Sequence, residues 1–153
     1  MSFRRQSLVI LLSLPVTVSA MDAGALLQAA EAHYLEAGRE EALKDFTHDS
    51  RFIHGSLYVF CVDSQKRLSA SGGFPRMVGV EIDRFEVGGR SGLATRMQQD
   101  ASDDGEGQLN YDWLNPSSGA IEPKKVQFRR FGEDVCGVGV YVPAPSGPPR
   151  RRR

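Results

Sequence analysis

Tyr111, Trp113 and Lys124 are the residues whose types and spacing suit chemistry on a small molecule. Tyr111 and Trp113 stand two apart, so in an extended segment both point to the same side. Aromatic rings with a polar tip make walls for a small ligand, and a lysine supplies a point charge for a carboxylate. The competing reading is structural: both rings packed in the core beneath a helix, and Lys124, beside Lys125, in solvent. Tyr58 and Phe74 are further candidates for a ligand wall, and Arg76 for a second cation. Core packing, loop packing and surface exposure are their respective alternatives.

Other chemistry is weakly signalled. His33, His48 and His54 match no metal-ligand spacing and read as structural or exposed. There is no nucleophile elbow and no phosphate-cradling loop, since Gly88-Gly89-Arg90-Ser91-Gly92 lacks a following Lys-Ser/Thr. We therefore expect neither an enzyme nor a cofactor site. Cys61 and Cys136 each fall in a predicted strand. In an exported protein they can form a disulfide, and two buried free thiols are an equal reading.

The elements that must position these residues follow from periodicity. Leu109, Tyr111 and Trp113 alternate with polar residues, the period of a strand with one buried face. Asn115-Pro116-Ser117-Ser118-Gly119 stops that strand, and strands over 125–130 and 135–142 complete a meander. Upstream, Leu26, Leu27, Ala30, Tyr34 and Leu35, then Ala42, Leu43 and Phe46, predict a helix over 22–46, capped by Asp22, with a possible break at Gly38. A nearly all-apolar strand over 57–63 turns at Ser64-Gln65-Lys66 into its partner over 67–70. Residues 71–107 form a long crossover, with a short helix over 91–97 and an acidic link over 99–106. Connections of that length commonly serve function. The whole predicts an α+β domain, one antiparallel sheet with helices on one side.

Composition sets bounds. The chain has 153 residues, 41% hydrophobic and 25% charged, which suits one soluble domain. Arg4 and Arg5, an apolar run over 8–18 and Val18-Ser19-Ala20 read as a signal peptide over 1–20, a run too short for a membrane helix. An uncleaved anchor and a short buried helix are the alternatives. Without Arg4 and Arg5 the 19 basic residues become 17 against 19 acidic ones, and Arg150–Arg153 hold four of those 17. A body that acidic is a poor partner for nucleic acid, where affinity rests on phosphate neutralisation. The Pro- and Arg-rich tail over 143–153 is expected to be disordered, either without a role or touching anionic lipid or a partner.

Taken together, the residues resemble the type 2 single Cache domain, the extracytoplasmic sensor module of bacterial chemoreceptors and sensor kinases. The resemblance rests on Phe52 with Gly55-Ser56-Leu57-Tyr58-Val59-Phe60-Cys61-Val62-Asp63, Leu68-Ser69-Ala70, and Pro75-Arg76-Met77-Val78-Gly79. Its most specific pieces are Gly107 with Tyr111-Asp112-Trp113-Leu114-Asn115-Pro116, Glu122-Pro123-Lys124, and Gly137-Val138-Gly139-Val140-Tyr141. It spans about 25–142, so the expected domain is 21–142.

The resemblance implies a PAS-like five-stranded antiparallel sheet with a long N-terminal helix and a pocket between sheet and crossover. It implies small ligands, often carboxylates, and a periplasmic or secreted location. The chain departs from the family pattern at Ser71 and Gly72, where His-Pro is usual, over 86–90, where an Asp-rich stretch is reduced, and at Gln127, where an aromatic is usual. No long apolar segment follows Val142, so a stand-alone exported module is expected, with a membrane chemoreceptor or sensor kinase as a separate partner. A structural or interaction protein of the same fold, with a filled pocket, is the alternative.

Overall fold

Asp22 sets where the first helix begins: its Oδ1 accepts the Ala25 N–H at 2.7 Å, satisfying one of the donors a helix start leaves open. In the computed structural model, which describes residues 22–86, 91–103 and 105–142, α1 spans Ala23–Ala37 and α2 spans Arg39–His48. The expected signal peptide, the basic tail and Gly88-Gly89-Arg90 lie outside the described residues. Gly38 breaks the helix as its sequence position suggested. It sits at φ 85°, a conformation open to glycine, and its N–H closes α1 on the Tyr34 carbonyl.

The strands are β1 (Ile53–His54), β2 (Leu57–Val62), β3 (Leu68–Ser71), β4 (Glu106–Leu114), β5 (Ile121–Phe131) and β6 (Asp134–Tyr141). All pair antiparallel. The sheet runs β1-β2-β6-β5-β4, with β3 also paired to β2. Five strands thus form the expected α+β, PAS-like sheet, and the two-residue β1 is an addition. At the centre, Cys61 stands opposite Cys136, and the two are joined in a disulfide.

Two features depart from expectation. Helix α3 spans Leu93–Asp103, where the sequence reading ended a helix at residue 97 and placed an acidic link beyond it. Ala94, Met97 and Ala101 are buried at helical spacing, and Gln99 and Asp100 of the expected link stand exposed on that helix. The sheet is also covered on both faces. Helices α1 and α2 pack on one, burying Leu26, Ala30, Phe46, Val59, Val138 and the disulfide. The crossover and α3 pack on the other, burying Phe60, Val62, Ile82, Met97, Val126 and Phe128.

Two carboxylates tie this frame together. Asp134, fully buried, accepts hydrogen bonds from Tyr34 Oη (2.8 Å), Arg39 Nε (2.6 Å) and Ser69 Oγ (2.8 Å). It thereby fastens the helix break to the start of β6. The hydrogen bond to Asp134 pushes the Arg39 pKa further up, and burial raises that of Tyr34. Asp83, in the crossover, caps α3 from outside by accepting the Ala94 and Thr95 N–H groups. Among the described residues no helix is long and apolar enough to cross a membrane.

Candidate ligand-binding site

Register places Lys124 between two tyrosines. On β5 it stands opposite Tyr111 of β4 on one side and Tyr141 of β6 on the other. All three face the crossover side of the sheet. Lys124 is 2% exposed, so the solvated reading of this lysine does not hold. Its stem has room because β6 carries Gly139 beneath it: a Cβ there would lie 2.4 Å from Lys124 Cε and 2.7 Å from Val126 Cγ2.

The ammonium has an unusual set of neighbours. It donates to Tyr58 Oη at 3.1 Å and lies over the rings of Tyr58, Phe60 and Tyr141, with 4.3, 4.9 and 5.0 Å to their centroids. Tyr141 Oη donates to the Leu114 carbonyl at 2.7 Å. Its one proton is used there, so the 2.9 Å contact between the two hydroxyls has Tyr58 as donor and Tyr141 as acceptor. The result is a directed chain, Lys124 to Tyr58 to Tyr141 to Leu114. It leaves Lys124 with donors to spare.

Among the described residues no carboxylate forms an ion pair with it. Taking an ammonium out of water without a counter-charge disfavours its charged form. Burial accordingly pushes the Lys124 pKa down to about 7. Burial also pushes the Tyr58 hydroxyl up, and raises Tyr141 to about 12. Both phenols are neutral hydrogen-bonding groups at neutral pH.

Above this floor the rings form a wall. Tyr58, Phe74, Trp113 and Tyr111 meet edge to face in sequence, with centroid separations of 6.2, 6.4 and 6.1 Å. Between them, Lys124 and the crossover lies a cavity of about 20 Å³, room for about one water. Phe60, Leu68, Ser71, Ile82 and Leu93 complete its lining. The departure at Ser71-Gly72 has a local reason. Ser71 Oγ accepts the Phe74 N–H, and a Cβ at Gly73 would meet the Tyr58 ring at 2.4 Å, so the loop lies flat on that tyrosine.

Five of the six candidates from sequence therefore surround one cavity: Tyr58, Phe74, Tyr111, Trp113 and Lys124. Tyr111 and Trp113 are half-buried on the face away from α1, so they are not packed under the long helix. Arg76 is not in the group. It is exposed on the single turn Pro75–Met77, which directs it to solvent. Sequence reasoning missed Tyr141, Phe60 and Ser71. For Tyr141 a signal exists: it follows Gly137 and Gly139 at period two, on the strand face those glycines keep clear. His48 and His54 are exposed, and His33 pairs with Asp45 at 2.8 Å, remote from the cavity. Among the described residues no cluster of His, Cys, Asp and Glu is placed to hold a metal.

A buried lysine under an aromatic wall thus lies between a PAS-like sheet and its crossover. Solved structures share this fold. The chain is similar to the periplasmic sensor domain of a chemotaxis protein (TM-score 0.61, 20% identity, covering 78% of this chain and 87% of that one). It is similar to a methyl-accepting chemotaxis protein from Vibrio parahaemolyticus RIMD 2210633 (TM-score 0.65, 18% identity, 78% and 85%). A third similar structure is a Cache chemosensory domain described for carboxylic acid recognition (TM-score 0.60, 20% identity, 78% and 85%). At these identities the likeness is one of fold. A search of curated proteins finds no match. Residues 17–142 match the family Single Cache domain 2, and the chain belongs to that family of extracytoplasmic, non-catalytic sensory domains.

Proposed function

We propose that this protein is a periplasmic module that binds a small carboxylate and passes its occupancy to a separate membrane chemoreceptor or sensor kinase. The observation that carries the reading is Lys124: a buried ammonium with spare donors, no counter-charge among the described residues and a cavity directly above it. A ligand carboxylate supplies the missing charge. Tyr58 and Tyr141 fix the ammonium, and Phe74, Tyr111 and Trp113 enclose the apolar part of the ligand. That a neighbour of the same fold is described for carboxylic acid recognition supports the assignment.

The cavity holds about one water, so any metabolite requires the crossover to move outward from the sheet. Binding then selects the opened or re-closed crossover, and the population of that segment is the signal. The same small volume favours a second reading, a fold with a filled pocket that docks on a partner without a ligand.

A thermal-shift screen of the chain from Met21 to Arg153 against short carboxylates, amino acids and uncharged metabolites separates the two. A ligand that binds only the folded state raises the melting temperature with concentration. We expect a saturable rise with carboxylates alone and its loss in Lys124→Met. That variant removes an uncompensated buried charge and stays folded. No rise with any compound establishes the filled-pocket reading. A rise that persists in Lys124→Met removes this lysine from the site.

A further inference from the structure

Beside the Lys124 cavity, a second and smaller cleft opens toward α3. It measures about 10 Å³ and shares four lining side chains with the first: Ile82, Leu93, Tyr111 and Trp113. Its remaining wall includes Ser91 and Arg96, whereas Lys124 belongs to the first cavity only. One partition of apolar and aromatic side chains thus has a lysine on one side and an arginine on the other.

Arg96 differs from the other arginines that are partly or wholly engaged. Arg39 is paired with Asp134, Arg51 with Asp49 and Arg129 with Glu31. Arg130 donates to Gln98, and Arg67 to the Gly79 carbonyl. Arg96 is half-buried on the first turn of α3, and among the described residues it has no ion pair or side-chain hydrogen bond. A guanidinium offers five donors in a planar fork that matches a carboxylate, so leaving it half-desolvated without an acceptor is costly. Asp83 forms no pair with it: its oxygens accept the Ala94 and Thr95 N–H groups and the Thr95 hydroxyl, and pair with Lys66.

We infer that Arg96 is a second anion-recognising residue and that the protein's ligand carries two acidic groups, one at Lys124 and the other at Arg96. The inference rests on the carboxylate reading of Lys124. It adds the ligand class: a short-chain dicarboxylate whose carbon chain spans the Ile82–Leu93–Tyr111–Trp113 partition. Binding displaces those side chains and joins the two clefts. Arg96 takes the place that sequence alone gave to Arg76, and it does so from α3, so ligand occupancy is read directly by the helix that Asp83 holds to the crossover.

The test is calorimetric titration of wild type, Arg96→Gln, Arg96→Lys and Lys124→Met with succinate, glutarate, propionate and butyrate. A charge-assisted pair predicts that wild type binds the dicarboxylates roughly tenfold to a hundredfold tighter than the monocarboxylates. Arg96→Gln should collapse that ratio to near one while leaving propionate and butyrate affinity in place. Arg96→Lys should keep part of it, and the ligand-free melting temperature should not fall below that of wild type in either. Monocarboxylate binding that depends on Lys124, with a dicarboxylate ratio that Arg96→Gln leaves unchanged, overturns the inference and leaves the carboxylate reading standing. Wild type that binds none of the four overturns both.

Discussion

On the helix side of the sheet, Phe46, Phe52, Val59, Val138 and the Cys61–Cys136 disulfide pack without a charged group among the buried members of the cluster. On the crossover side, the same strands bury Lys124 and two hydroxyl-bearing tyrosines, and the covering is a loop with short turns and one helix. The strands alternate, so each residue step exchanges one environment for the other. One face is closed by apolar contacts and by a buried carboxylate, Asp134, that Arg39 compensates, and it needs no ligand. The other buries a charge that its own residues leave uncompensated, and a partially filled polar site of that kind is where binding free energy has somewhere to go.

That contrast can be broken from either side. The largest effect on stability belongs to the helix face. Phe46→Ala empties a fully buried site and should cost about 3–5 kcal/mol in chemical denaturation, with affinity for carboxylates unchanged. A matching loss of affinity would show that the two faces are coupled and not separate.

A pH effect comes next, and it belongs to Lys124 alone. The lysine titrates near 10.5 without its folded surroundings and at about 7 within them. Between these values the unfolded chain holds one more proton than the folded one. Stability should therefore rise with pH across that window, by about 1.4 kcal/mol per unit at most, and level off below pH 7. Tyr58 and Tyr141 face the ammonium and stay neutral throughout most of this range, so they do not obscure it. Urea titrations of wild type and Lys124→Met at about pH 6 and about pH 9 check the point. The difference between the proteins should shrink at the higher pH. Carboxylate affinity should fall about tenfold per unit above pH 7, because binding then requires proton uptake.

The smallest effect sharpens the comparison. Trp113→Ala removes a half-buried ring from the wall. It should weaken carboxylate binding by about 1–2 kcal/mol and lower stability by about 1 kcal/mol, measured by titration and by melting. A stability loss as large as that of Phe46→Ala, with affinity intact, would move Trp113 into the core.

Much of this frame is written locally. Alternation of Leu109, Tyr111 and Trp113 marks the face of β4, and Asp22 and Gly38 mark the helix start and break, because caps and pleats depend on near neighbours. The site is less legible. Pro123-Lys124-Lys125 reads as a turn followed by solvent, and only the pairing of β5 with both β4 and β6 puts Lys124 between Tyr111 and Tyr141. Tyr58 joins them from residues 66 positions away in the chain. The extent of α3 was hidden for a different reason: its few buried residues are small or flexible, and its polar face is indistinguishable in composition from a loop. Arg76 was a candidate and Arg96 was not, because charge can be read from sequence and direction cannot.

The order of strands in the sheet carries a consequence for how the protein comes to be. β4, β5 and β6 are joined by short turns and can zip from neighbour to neighbour as they are made. The centre of the sheet is different: β2 meets β6 across 75 residues at the Cys61–Cys136 pair. Contacts that distant in the chain form slowly, since loop-closure entropy is spent before they repay it. The aromatic floor around the ammonium borrows Tyr58 from β2, so it is assembled only at that final closure. A chain interrupted before residue 136 can own most of its hairpins and still have no site to offer.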